Sequence, residues 1–517
     1  MERHGSESYF VLGEGLLTES VGGRSRTLSR AVEAAVPPFR FSRMGPNGAG
    51  RQLGEPNRKK IGAAMTVGGG GAARMPAGFT YLGQFTDHDL TFDKTNVMLG
   101  QLVSPTELLQ ARSPSLDLDS LYGAGPTDPG SAQFYEADGV HLKMGKTLAA
   151  EGVAAKPGFD LPRGAGTTVA AKRKAIIPDP RNDENLVVAQ THLAFIRFHN
   201  RVVDTLPGSV PAASRFATAR EIVTKHYQWM LRTDYLSRIC QRSVVNSVFT
   251  SGRKAFEVGA APTDVPTMPI EFSVAAFRLG HSMIRRAYNW NRIFDDGFGT
   301  LDLLFTFSAG SGDLGGGLRL PSSWIADFRR LYDFKSAGRA DLAVPEGKFN
   351  RAMRIDTKLV RPLRTLPGFP ADEANLAVRN LTRARMVRLA TGQQMATFLQ
   401  GKGVTLTKLT RAQIRDGGNG AELDRLTQPQ RAALLRDTPL WFYILREAEL
   451  NGGKLTGVGA RIVAETFHRA MEGSQVSIVR DPTWRPSLGP SNTTFRMVDL
   501  LLFAFQGKKA LLNPLGN

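Results

Sequence analysis

Six stretches with helical spacing of apolar residues constrain this chain more than any other feature: 184–205, 215–242, 272–288, 373–398, 438–450 and 458–472. Apolar residues recurring every third or fourth position give a helix one buried stripe, and alternating strand-like runs are few and short. The expected fold is mainly α, one large single helical domain over residues 46–512. Residues 1–45 hold few periodic apolar positions and read as an extended N-terminal arm. The four glycines at 68–71 read as a flexible connector. Gly/Pro-rich insertions at 123–179 and 293–350 are long for plain loops, so they are expected to carry local structure or wrap the core.

Composition narrows the function classes. A hydrophobic share of 42% and a charged share of 22% suit a folded globular chain rather than a disordered one. The net charge of +19 would draw anions towards the surface. No basic cluster is interleaved with aromatics, and arginines are spread along helical stretches such as 379–388, so no specific nucleic-acid partner is expected. The single cysteine, Cys240, excludes an intrachain disulfide and reads as a buried small hydrophobe. The N-terminus lacks both a basic start and the ~7–15-residue apolar run of a secretory signal. The strongest apolar run near the C-terminus, 498–505, is far short of the ~20 residues that span a bilayer. Cytoplasm, or export without such a signal, are the expected compartments.

The chemistry-bearing residues begin at Tyr81-Leu-Gly-Gln-Phe-Thr-Asp-His-Asp-Leu90. On a helix Gln84, Asp87 and His88 share one sector, while Asp89 is turned away from His88 by about 100°. One turn can therefore serve two sites. A neutral imidazole on an apolar face can act as a general base, and the next carboxylate can bind a hard cation. A satisfied core histidine is the plain reading of a lone His, but three ionisable groups in a row are costly to bury without a purpose. Zinc lacks an HExxH or CxxC pattern to complete its site. Downstream, Ser113, Ser115, Asp117 and Asp119 place oxygens at alternating positions, the pattern by which a short loop surrounds Ca²⁺; a polar turn is the bland alternative.

Two further segments matter. Pro178-Asp-Pro-Arg181-Asn-Asp-Glu184 precedes an amphipathic helix that Asn182 or Asp183 can cap. Arg181 at that helix mouth is a fixed cation suited to polarising a bound oxygen. His192 and His199, on one face of that helix, are expected to be structural. The second segment, 272–284, is an apolar helix carrying His281. Gly280 beside it would let something flat approach, and Arg278 lies one turn earlier. An axial imidazole beneath a haem fits this grouping, and Asn380 could accept the other imidazole N–H.

Taken in order, these segments resemble the animal-type haem peroxidases of the peroxidase–cyclooxygenase superfamily, such as myeloperoxidase and lactoperoxidase. Gln84-Phe-Thr-Asp-His-Asp89 is similar to their distal motif, the 113–123 segment to their calcium loop, and Arg181 with Glu184 to their distal arginine helix. Phe277-Arg-Leu-Gly-His281 is similar to their proximal helix, and the Asn380–Arg385 spacing to the segment that follows it. The resemblance implies haem b. It makes His88 the distal acid–base residue, Arg181 its cationic partner, Gln84 a distal-pocket residue, and His281 the iron ligand bonded to Asn380. Arg278 and Arg383 match residues near the propionates. Asp87 and Glu184 match the carboxylates that form ester links to the haem methyls. Asp89, Ser113, Ser115, Asp117 and Asp119 match calcium ligands, Ser115 through its backbone carbonyl.

Departures from the family pattern shape the expected activity. Asn185 stands where myeloperoxidase has a Met, so a sulfonium link is excluded, and the segment after Arg385 lacks the family's Arg-Asp-His-Gly continuation. The resemblance implies a peroxidase that reduces H₂O₂ and oxidises a halide, thiocyanate or phenolic donor. Fatty-acid dioxygenases of the superfamily carry a radical-forming Tyr three residues before the axial His; Arg278 occupies that position. A non-catalytic cationic haem-fold binding protein is the remaining alternative, and it would have no use for Gln84, His88 and Arg181 together.

Overall fold

The computed structural model describes residues 39–517 apart from 96, 367, 368 and 372. Most of the 1–45 arm thus lies outside the described residues. Its end does not hang free: Phe41–Ser42 pairs in parallel with Met268–Pro269. The architecture is mainly helical. Every sheet among the described residues has two short strands.

The principal helices are α1 (Glu55–Met65), α2 (Gly78–Leu90), α3 (Leu186–Thr205), α4 (Arg215–Met230), α5 (Arg242–Ser251), α6 (Leu376–Met386), α7 (Gly392–Gly401), α8 (Leu440–Leu450), α9 (Gly457–Glu472) and α10 (Met497–Ala504). At the centre α3 packs against α2, α4 and α10, while α9 packs on α5 and α6 on α1. All thirteen residues of α2 are buried, as are most of α3. Their polar side chains are therefore buried with the apolar ones and need partners inside the core. Gly83 makes part of this packing possible, since a Cβ there would come within 2.2 Å of the Tyr235 hydroxyl. No helix among the described residues is long and apolar enough to cross a membrane.

Three of the six expected helices are broken. The 215–242 stretch passes through a π turn at Leu231–Tyr235 and stops at Cys240, which is buried and extended. The 373–398 stretch ends at Met386. Arg388 takes a left-handed φ of 45°, and Thr391 with Gln394 forms a capping box that starts α7. The 272–288 stretch is a π turn (Glu271–Ala275), a 3₁₀ turn (Ala276–Leu279) and one α turn (Gly280–Met283), after which the chain peels into a strand at Ala287–Tyr288. Glu271 anchors its start by accepting from the backbone N–H of Met44 (2.9 Å) and Gly45 (3.0 Å). The two insertions wrap the core with short turns and one small hairpin-like pairing, Gly145–Lys146 with Pro157–Asp160.

Candidate active site

Packing of α2 on α3 carries His88 to the 3₁₀ turn Pro180–Asp183. His88 is fully buried, and its Nδ1 lies 2.9 Å from Asn182 Oδ1. The same amide places Nδ2 3.0 Å from His192 Nδ1. A carbonyl oxygen only accepts, so His88 Nδ1 carries the proton and Nε2 keeps its lone pair. Burial, reinforced by the Arg181 cation, pushes His88 down to about 3, so the ring stays neutral near pH 7.

The lone pair faces a carboxyl group. Glu184 Oε1 lies 3.5 Å from His88 Nε2 and accepts a hydrogen bond from Gln84 Nε2. Asn185 Nδ2 donates to Gln84 Oε1 at 3.0 Å, while Asn185 Oδ1 caps α3 by accepting from Val188 N–H at 2.9 Å. The cap is therefore Asn185 and not Asn182 or Asp183, whose side chains bridge two imidazoles and pair with Arg163 respectively. Burial raises Glu184 well above the usual carboxylate range and Asp87 to about 6, against the pull of nearby arginines. Asp87 turns from this group towards Arg278, with Oδ2 3.8 Å from Nη1.

Arg181 occupies a different setting from the open helix mouth its sequence position suggests. It is buried and braced by Asp179, with Nε at 3.0 Å and Nη2 at 2.7 Å. Nη2 also donates to the carbonyls of His88 (3.0 Å) and Thr91 (2.5 Å), the end of α2, and the guanidinium lies over the Phe92 ring. Asp179 accepts from Arg112 as well, at 2.7 Å, and its two arginine neighbours hold its carboxyl far below the usual range against the effect of burial. The cation thus fixes the turn that bears His88, and only Nη1 is without a hydrogen-bond partner among the described residues.

On the other side, His281 is buried and its Nδ1 lies 2.7 Å from Asn380 Nδ2, brought in by α6. Trp441 of α8 sits edge-on to the His281 ring and donates from Nε1 to the Arg278 carbonyl at 3.2 Å. Arg278 Nε donates to Ser273 O at 2.7 Å. Arg383 is buried, and burial pushes it down to about 9. A Cβ at Gly280 would meet no protein atom within 4 Å. His199 is structural, between the Tyr122 hydroxyl (3.0 Å) and the Val140 carbonyl (2.9 Å).

The oxygen-rich loop is held by hydrogen bonds and one ion pair. Asp89 does turn towards it, accepting from the N–H groups of Leu118 (3.2 Å) and Ser120 (3.3 Å). But Asp117 accepts from the Gln475 N–H, Asp119 pairs with Arg220 at 3.3 Å, and Ser115 Oγ donates to Gly473 O at 3.3 Å. Ser113 is buried without joining them. Burial and mutual repulsion raise Asp89 to about 8 and Asp117 to about 7. The donor chemistry suits calcium, but among the described residues no three acidic or imidazole groups converge on a metal position.

A haem fits the residues present better. His88 Nε2, Asp87 Oδ1, Glu184 Oε2 and Arg181 Nη1 are all buried with no hydrogen-bond partner among the described residues. Each such group costs about 1–3 kcal/mol unless something meets it. With Nδ1 engaged by Asn380, coordination of a metal by His281 would use Nε2, and the space at Gly280 admits a planar group. Sequence reasoning missed Asn182, Asp179 and the Gln84–Asn185 bond. Asp179, two residues before Arg181, did carry a local capping signal, since it accepts from Arg181 N–H at 3.0 Å. Asn182 gave none, because its partners are fixed only by the packing of α2 on α3.

Residues 75–303 match the animal haem peroxidase family; the match takes in His88, Arg181 and His281 and ends before Asn380. Among solved structures, peroxidase A from Dictyostelium discoideum is similar with a TM-score of 0.57 and 15% identity, over 89% of this chain and 95% of that one. Fatty acid α-dioxygenase from Arabidopsis thaliana is similar with a TM-score of 0.54 and 13% identity, over 98% and 85%. The Oryza sativa fatty acid α-dioxygenase gives 0.52 and 10%, over 96% and 86%. At these identities the likeness is one of fold. No curated protein matches by sequence.

Proposed function

We propose, on the premise that residues 75–303 carry an animal haem peroxidase domain, that this protein is a haem-dependent peroxidase with His88 as its acid–base group. The observation that carries the reading is the buried, neutral His88, its Nδ1 held by Asn182 and its Nε2 aimed into a cluster of polar atoms that lack partners. His281, with Asn380 behind it, would hold haem b. Metal coordination needs Nδ1 protonated, so Asn380 would turn its Oδ1 to accept from it. Arg278 and Arg383 would meet the propionates, and Asp87 and Glu184 would be the carboxyls available for ester links.

The haem, when bound, supplies the redox-active iron at which the O–O bond of hydrogen peroxide is broken. His88 Nε2 would take a proton from one peroxide oxygen and return it to the other, which would leave as water. Gln84, held by Asn185, orients the peroxide by hydrogen bonding. Arg181 contributes its positive field, since Asp179 and two carbonyls already occupy most of its N–H groups. The donor would be a halide, thiocyanate or phenol. Calcium enters no step.

A dioxygenase reading draws on the fold likeness to the two α-dioxygenases. Position 278 argues against it, because a guanidinium tied to Ser273 O cannot serve as a phenoxyl radical.

One preparation tests these readings. Full-length protein expressed with ample haem should show a Soret band and oxidise guaiacol or bromide only with added H₂O₂. Absence of the band, or of peroxide-dependent turnover, overturns the proposal. Oxygen uptake with linoleate and no peroxide would replace it with the dioxygenase. Acid–acetone extraction should leave haem on the polypeptide if Asp87 or Glu184 is esterified, and free haem in the solvent rules the links out.

Asn182 should act as a positioning residue. Asn182→Leu removes the acceptor for His88 Nδ1–H, and losing one orienting hydrogen bond of about 1.4 kcal/mol slows the peroxide reaction about tenfold. Asn182→Asp should instead raise the His88 pKa by placing a carboxylate beside it. The base is then lost as pH falls, and an acidic limb should move up into the pH–rate profile. An unmoved limb would show that Asn182 does not govern His88.

A further inference from the structure

Gly68 and Gly69, the first half of the glycine run at 68–71, line a cavity. Gly68 has a φ of +146°, and a Cβ on Gly69 would stand only 2.8 Å from Met353 Cε and 2.9 Å from Val360 Cγ1. The run is then tied by the Gly71 carbonyl to Arg354 N–H and by the Ala72–Met353 pairing. Glycine is needed here for close approach, not for looseness. The cavity measures roughly 520 Å³, with an apolar floor of Val67, Ala287, Met353 and Val360.

Three arginines, Arg285, Arg286 and Arg361, complete the lining. Backbone carbonyls hold two of them in place: Arg285 Nε donates to Ala287 O at 3.1 Å and Nη1 to Arg351 O at 2.8 Å, while Arg361 Nε donates to Val67 O at 3.0 Å. None of the three forms an ion pair among the described residues. A second recess of roughly 330 Å³ shares Val67 and Arg361 and adds Arg364 and Arg425, where the one carboxylate, Glu422, is already paired with Arg425 at 2.7 Å. Even with Asp356, whose carboxylate lies against Gly70, the arginines around the two recesses outnumber the acids.

We infer that this cavity is a binding site for an amphipathic organic anion, its carboxylate or sulfonate head between the three guanidinium groups and its apolar body on the Val67–Met353–Val360 floor. Held guanidinium forks match such heads with paired hydrogen bonds. An inorganic anion would leave the apolar floor wet, and an uncharged lipid would leave the arginines unmatched. The site is independent of the peroxidase reading, although Arg285 follows His281 by only four positions.

Calorimetric titration of the full-length haem-loaded protein tests this with decanoate, 1-decanol and inorganic phosphate. Decanoate should bind about tenfold or more tightly than either of the others. The Arg286→Glu/Arg361→Glu protein, altered at two exposed positions, should lose about tenfold in decanoate affinity while keeping the parent's melting temperature and Soret band. No decanoate binding, equal binding of decanol or phosphate, or an affinity indifferent to the two charge reversals would each overturn the site.

Discussion

The His88→Ala protein is expected to react with hydrogen peroxide about 10²–10⁴-fold more slowly than the parent, with its haem content unchanged. The magnitude is that of losing a positioned proton-transfer group. Its neighbours are poor substitutes: burial raises Glu184 well above the usual carboxylate range, Arg181 has no lone pair, and His192 reaches the site only through Asn182. The pH dependence follows from the same environment. Because burial and Arg181 push His88 down to about 3, its base form persists across about pH 5–8. The parent's peroxide reaction should therefore be flat in that window and fall only on strong acidification, when the ring takes up a proton. Stopped-flow absorbance after mixing with peroxide measures both. An undiminished rate in His88→Ala, provided the variant's melt shows it folded, would remove His88 from the chemistry.

How much of this was legible in the sequence differs from residue to residue. The turn of Asp89 away from His88 followed from helix geometry alone. His281 beside Asn380 was likewise an expectation that rested on chemical type, and the imidazole and the amide do meet, across 99 positions. What failed were statements about ends and about lateral partners. The capping box at Thr391–Gln394 was present in the sequence but lay within a continuous apolar period, and the period was followed instead. The π turns at Leu231–Tyr235 and Glu271–Ala275 shift the helical phase by a fraction of a turn, which periodicity over a long window averages away. The cation loop shows the limit in another form. Alternating oxygens suit a cation cage, but they do not reveal that Arg220 and Gln475, from other elements, also bond Asp119 and Asp117. Arg181 is the sharpest case, because a guanidinium at a helix mouth has the same sequence whether it faces a ligand or braces a neighbouring turn.

That ambiguity leads to the largest stability effect expected here. Asp179→Ala should destabilise the protein by about 3–5 kcal/mol, because it leaves two buried guanidinium groups, Arg181 and Arg112, without their shared carboxylate. The damage should reach the active site. Without Asp179, Arg181 is drawn towards solvent or other acceptors and no longer clamps the carbonyls of His88 and Thr91, so the end of α2 loosens and the peroxide reaction slows in the folded fraction. The sign of the pH dependence is fixed by the direction of the shift. A carboxyl held well below its ordinary pKa contributes its full stability above the unfolded value of about 4 and loses it as pH falls towards the folded one. The gap between parent and variant should thus be constant from neutral pH down to about 4 and narrow below it. Urea denaturation at several pH values reads this directly, with Glu55→Ala as a control, since the exposed Glu55–Lys59 pair should matter little. A cost below about 1 kcal/mol at neutral pH would mean that the two arginines find other partners. Arg181 would then be free to act as the ligand-facing cation that its sequence position first suggests.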